Sequence, residues 1–223
     1  MTSAGTTAIA ATGLSKRFDG QPAVLDAVEL TARGGTLSLI VGAPGAGKST
    51  FVRCLTGVYH PDAGTVTYRL GDRGAVDLNT SDARTVAWMR THHIASFDGL
   101  LAVAPRLPAA VAAARAARCS RSSAVAALGR FHISTLAPVP IGRLRAPDRL
   151  TVTLAAALLA DRPFVVLDDP ESIADPASLT KWVRRLTDDG AAIVATGPPG
   201  SSLESIATAT GQLRRGRIEW ERP

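Results

Sequence analysis

Residues 42–49 read GAPGAGKS, and no other stretch narrows the possible fold of this chain as much. The run fits GxxxxGK[ST] in full. Its glycines, Gly42, Gly45 and Gly47, let the backbone take positive φ and bring amide N–H groups close to an anion. Ala43, Pro44 and Ala46 complete the loop, and Thr50 follows it. A helix starting here aims the positive end of its dipole at the same anion. Lys48 supplies a point charge for β and γ phosphates, and Ser49 a hydroxyl for Mg²⁺. The flanks agree. TLSLIV (36–41) reads as a buried strand, and KSTFVRCLTGVY reads as a helix from Lys48 that ends near Gly57. The ligands this motif implies are a nucleoside triphosphate, ATP among them, and Mg²⁺.

A Mg²⁺ site needs a second oxygen ligand. PFVVLD (163–168) reads as another buried strand and sets Asp168 at its C-terminal end, the place of a Walker B aspartate. AAIVAT (191–196) reads as a third such strand. Pro61–Gly64 reads as a turn, 65–78 as a hairpin looped at Gly71–Gly74, and GQLRRGRIEW as a closing hairpin. From about 85 to 160 the chain is alanine-rich, helical and broken by prolines. The fold class expected is α/β: a P-loop NTPase core around a largely parallel sheet, with an antiparallel β edge and an inserted α-helical subdomain. The expected organisation is one ATP-binding domain over 1–223, with a core at 1–85 and 155–223 and the helical subdomain at about 86–154.

Composition narrows the class further. Hydrophobic residues make up 46% and charged residues 20% of the 223, which is globular. The net charge of +6 comes from scattered arginines, so no nucleic-acid partner is expected, and Arg214–Arg217 reads as a solvated turn. Cys54 and Cys119 form no CxxC, and the four histidines show no ligand spacing. The start MTSAGTTAIAATG carries no signal-peptide pattern, and the longest apolar stretch, 150–160, is too short for a bilayer. A cytoplasmic protein is expected, peripheral to the membrane only through a partner.

These motifs together resemble the ATP-binding cassette (ABC) family of nucleotide-binding domains over nearly the whole length. LSKRFDG (14–20) is similar to the family's start, where an aromatic stacks on adenine; the resemblance gives that role to Phe18. HPDAGTV (60–66) and LLADRPFVVLDDPESIAD (158–175) are similar to its later stretches, Walker B and the D-loop included. Within the family, VDLNTSDARTVAWMR (76–90) and LLAVAPRLPAAV (100–111) look like the ABC-type subunit of the carbon–phosphorus lyase system of phosphonate breakdown. The resemblance implies a homodimer or a heterodimer with another ABC-type chain, and a larger membrane or phosphonate-lyase complex.

The family's hydrolytic parts depart from its pattern. Alignment back from Asp168 sets Leu144-Arg145-Ala146-Pro147-Asp148 at the signature, where a serine and glycines are expected. Pro147 has no N–H to donate, Arg145 is either an exposed residue or a substitute phosphate contact, and Asp148 reads as a helix N-cap. Asp169 stands where a catalytic glutamate is expected and is about one methylene short, which matters because a misplacement of about 1 Å can cost roughly 100-fold. The Q-loop glutamine falls at Gly99 beside Asp98, and the H-loop histidine at Gly197 or Pro198. Two readings stay open: a weak or partner-dependent ATPase with Asp169 as its base, and a nucleotide-binding switch or structural subunit. A small P-loop kinase is a third, although 41 residues precede Gly42.

Overall fold

The computed structural model describes residues 7–20, 22–99 and 105–221. The first six residues of the N-terminal stretch, and 100–104 of the LLAVAPRLPAAV stretch, therefore lie outside it.

The described residues build two sheets. The first is antiparallel, in the order β2 (Leu25–Arg33), β1 (Ala8–Lys16), β4 (Ala63–Arg69), β5 (Ala75–Asp77). The second has six strands. β6 (Ile94–Phe97), β7 (Phe164–Leu167), β8 (Ala192–Gly197), β3 (Thr36–Val41) and β9 (Ala209–Arg214) run parallel in that spatial order, and β10 (Arg217–Trp220) closes the edge antiparallel to β9.

Strand alternation explains why the second sheet is covered on both faces. Leu37, Leu39 and Val41 of β3 pack in a core with Val165 and Leu167 of β7 and Ile193 and Ala195 of β8. The other-face residues Ile40, Phe164, Val166, Ala192 and Val194 enter a second core. That core is shared with α1 (Lys48–Leu55) and the antiparallel sheet, whose Tyr68 is fully buried edge-on to Phe164 at 4.8 Å.

The first core is closed by α3 (Ala109–Ala117), α4 (Arg121–Arg130), α5 (Ala146–Leu159) and α6 (Pro176–Asp188). Alanines at 109, 110, 112 and 113 are wholly buried, so α3 seats close against its neighbours with little side-chain volume between. Side-chain caps start two of these helices: the Ser120 hydroxyl accepts the Ser123 N–H at 3.0 Å, and the Asp175 carboxylate accepts the Ser178 N–H at 2.8 Å. Asp82 does the same for α2 (Ala83–His92), from Thr85.

The structure corrects three expectations. The helical stretch expected from 86 is interrupted by β6, which belongs to the parallel sheet in register with β7. The turn expected over Pro61–Gly64 is shorter, because Ala63 already pairs with Ser15. Asp148 is not an N-cap: α5 begins at Ala146 behind Arg145, Pro147 falls in its first turn, and Asp148 pairs back to Arg145 at 2.9 Å. Among the described residues no helix is long and apolar enough to cross a membrane.

Candidate nucleotide-binding site

Three loops meet at the carboxyl ends of neighbouring parallel strands, the place where open α/β sheets bind ligands. They follow β3, β8 and β7, which are adjacent in that order. The Gly42 N–H donates to Gly197 O at 3.2 Å and ties the first two loops together. Between them lies a cavity of about 390 Å³, lined by residues of the 42–50 run with Asp168, Asp169, Pro198 and Val24.

The cradle has the geometry its sequence implies. Gly47 closes the loop at φ 104° immediately before α1. A Cβ there would stand 3.0 Å from Val24 Cγ1 and 3.1 Å from Val24 O, so both conformation and space call for glycine. Lys48 Nζ folds back over the loop and donates to Gly42 O at 2.6 Å and Ala43 O at 3.1 Å. The ammonium is thus held over the cradle by neutral acceptors, which an incoming phosphate outcompetes. Ser49 and Asp168 share the cavity, an oxygen-only pair of the kind Mg²⁺ takes together with substrate phosphates. The residues present therefore fit Mg-ATP.

Asp168 and Asp169 are joined through a residue the sequence reading passed over. The Thr196 hydroxyl donates to Asp168 Oδ1 at 2.9 Å and accepts the Asp169 N–H at 3.0 Å. Thr196 is fully buried at the end of β8, and a lone hydroxyl ending the apolar run AAIVA is the signal that could have found it. Asp169 itself is held at φ 47°, in the left-handed region. Burial pushes its carboxyl above the ordinary carboxylate value; Lys48 opposes this, while Asp168 and Glu171 add to it.

Glu171 is the other addition. It lies in the single helical turn Pro170–Ser172, and its Oε1 accepts both the N–H of Ser202, at 2.8 Å, and the Ser202 hydroxyl. This ties the loop after β8 to the loop after β7. A Cβ on Gly197, one of the two positions where the H-loop histidine was expected, would press on Ser201 at 3.3 Å and come into contact with Glu171 Oε2 at 3.7 Å.

The remaining candidates lie outside the cavity lining. Phe18 is exposed, edge-on to Tyr59 at 5.5 Å with Lys16 Nζ over its ring at 5.6 Å. Ala43 and Ala46 shape the loop, the Ala46 N–H donating to Ala43 O. Asp98 and Gly99 follow β6, Gly99 at φ 87°. Arg145 is 84% exposed and paired with Asp148 at the start of α5. His60, His92, His93 and His132 do not line the cavity.

Comparison with known proteins gives the same picture. Residues 25–172 match the family model described as ABC transporter. The ribose import ATP-binding protein RbsA 1 of Rhizobium meliloti is 32% identical over 219 residues, covering 95% of this chain and 43% of that protein. The sulfate/thiosulfate import ATP-binding protein CysA of Bordetella parapertussis is 30% identical over 232 residues, covering 95% of this chain and 63% of its own length. The chain thus spans about half the length of these curated relatives. Among solved structures, the dimeric ATP-binding cassette MJ0796 bound to ADP and phosphate superposes with a TM-score of 0.80 at 18% identity, covering 96% of this chain and 98% of that one. At that identity the likeness is one of fold.

Proposed function

The chain belongs to the ABC transporter family of ATP-binding proteins, and we propose that it binds Mg-ATP to set the conformation of a partner assembly, with slow or partner-dependent hydrolysis. The observation that carries this is the contrast inside one cavity. The cradle from Gly42 to Thr50 stands beside Asp168, while the hydrolytic position holds Asp169 and the neighbouring wall holds Pro198.

In this reading Lys48 leaves the carbonyls of Gly42 and Ala43 for the phosphates, and the loop amides and the start of α1 complete the anion site. Phe18 stacks on adenine. Ser49 and Asp168 would hold Mg²⁺, which would supply positive charge to offset that of the phosphates. Thr196 fixes the rotamer of Asp168. Asp169, one methylene shorter than glutamate, orients water poorly, and Pro198 donates nothing to a γ-phosphate. Loss of a single such donor costs about 100- to 1,000-fold in turnover. The LRAPD stretch at the start of α5 lacks the glycine amides of a signature and weakens whatever site it faces in a second ABC-type chain. A wholly non-hydrolysing switch is the limiting form of the same reading.

One cassette over residues 1–223 is proposed, with its core at 1–85 and 155–223. Within the 86–154 segment, β6 is counted with the core. The partner is proposed as a second ABC-type chain together with a membrane component at the cytoplasmic face. The relatives are named for ribose and for sulfate or thiosulfate import, which supports an importer of a small hydrophilic solute. The phosphonate-lyase alternative rests on the stretches at 76–90 and 100–111.

Equilibrium binding of labelled ATP, with and without Mg²⁺, tests the reading on the wild type, Lys48→Ala and Asp168→Asn. Binding lost in Lys48→Ala, and Mg²⁺ dependence lost in Asp168→Asn, are expected. ATP affinity unchanged in Lys48→Ala would sink the assignment.

A further inference from the structure

Trp182 of α6 stands between two hollows larger than the nucleotide cavity. One, of about 680 Å³, runs past Cys119, Leu158, Leu159 and Asp161. The other, of about 550 Å³, is lined by Arg130, His132, Ser178, Lys181, Trp182 and Arg185. Neither shares a lining residue with the nucleotide cavity.

The second hollow is cationic by construction. The guanidinium of Arg130 sits 5.1 Å from the Trp182 ring centroid and that of Arg185 sits 5.7 Å from it. Phe131 lies parallel to the same ring, with centroids 6.4 Å apart, so the indole is clamped. Lys181 and His132 add donors, and the Ser178 hydroxyl, which donates to Arg130 O at 3.4 Å, stands on the same wall. Among the described residues no carboxylate lines this hollow. Two acids, Asp161 and Asp189, stand on the adjoining hollow, which Arg130 and Arg185 also line. Asp189 pairs loosely with Arg185 at 3.6 Å, and Asp175 caps α6 while acting on His132 from outside the lining. Asp161 lines the other hollow.

Trp182 is only 5% exposed, and its indole Nε1 is one of two buried side-chain polar atoms without a hydrogen-bond partner among the described residues. A native protein seldom leaves such a donor unmet.

We propose that the hollow between the end of α4 and the face of α6 binds a small phosphate-bearing anion. Arg130, Lys181 and Arg185 are its charge partners, with His132 and Ser178 as further donors. Two planar guanidinium forks, an ammonium, an imidazole and a hydroxyl supply more donors than a single carboxylate has oxygens to engage, and they suit the oxygen-rich phosphate group. The site is separate from the P-loop and does not depend on whether this chain hydrolyses ATP.

The test uses Trp182 as its own reporter. The sequence holds three tryptophans, so Trp88→Phe with Trp220→Phe leaves Trp182 alone, and Lys48→Ala silences the P-loop. Inorganic phosphate and glycerol 3-phosphate are titrated at constant ionic strength while its emission is followed. The expected result is a saturable change with one or both, weakened about tenfold or more by Lys181→Gln, and absent with acetate. Tighter binding of glycerol 3-phosphate would assign the site to organic phosphates, and tighter binding of inorganic phosphate to the free ion. Arg130→Gln disturbs the clamp on the indole, so Lys181→Gln, an exposed residue, carries the decision. A response that follows ionic strength alone, or one unchanged by Lys181→Gln, would overturn the proposal.

Discussion

The Thr196 hydroxyl donates to Asp168 Oδ1 at 2.9 Å, so the carboxylate proposed for Mg²⁺ is held by the end of the neighbouring strand. The same oxygen accepts the Asp169 N–H. Thr196→Val keeps the shape and removes both bonds at a fully buried position. The expected cost is about 2 kcal/mol in chemical denaturation, with a higher Mg²⁺ requirement for ATP binding. Thr196→Ser should recover most of both; equal losses in Val and Ser variants would show that the hydroxyl does not matter.

Gly47→Ala tests the cradle without touching charge. The new methyl meets Val24 at about 3 Å, on a backbone held at φ 104°. A destabilisation on the order of 1–3 kcal/mol is expected from the backbone conformation alone, together with loss of nucleotide binding. An alanine variant that melts and binds like the wild type would contradict the geometry of the loop.

Asp169 gives a pH signature. Its carboxyl is raised in the folded chain, chiefly by burial. The folded state therefore holds this proton to higher pH than the unfolded state, and ionising the group costs stability. The cost is absent below the unfolded value, grows as pH rises towards the raised folded value, and is constant above it. Asp169→Asn should thus melt higher than the wild type at pH 8 and close to it at pH 3. A constant difference at both pH values would point to some other cause. The same substitution should change turnover little.

Much of this was legible in the sequence because the signals were local. The 42–49 run, the apolar strands at 36–41, 163–168 and 191–196, and the closing hairpin carry their patterns within a few residues. β6 was not legible: IASF is four residues long, too short to show a period, and it sits in an alanine-rich helical context. What makes it a strand is its partner β7, which sequence pattern does not reveal. The pairing of β1 with β2 and β4 escaped for the same reason, with bulges blurring the alternation. In the site, the residue types of the cradle announced themselves. The links through Thr196 and Glu171 did not, because each joins loops some 30 residues apart in the chain.

Glu171 also predicts a failure. Restoring a histidine at Gly197 brings the new side chain against Ser201 and Glu171. Gly197→His is therefore expected to leave phosphate release no faster than in the wild type. A gain of tenfold or more would show that the missing imidazole alone limits turnover.

The two thiols should separate cleanly. Burial pushes the Cys54 thiol up to about 12, and Cys54 is 1% exposed, whereas Cys119 is partly exposed. A thiol reagent at pH 8 should label Cys119 in the folded protein and reach Cys54 only on unfolding, as read by peptide mass. Labelling of Cys54 at the same rate would mean that the core around α1 opens in the native state.

The most direct measurement is a single turnover of labelled Mg-ATP with excess protein, following retained nucleotide and released phosphate, with Lys48→Ala alongside. The account predicts ATP retained through Lys48 with phosphate released slowly or not at all in the absence of a partner. Rapid Lys48-dependent phosphate release by the chain alone would contradict it and make Asp169 a working base.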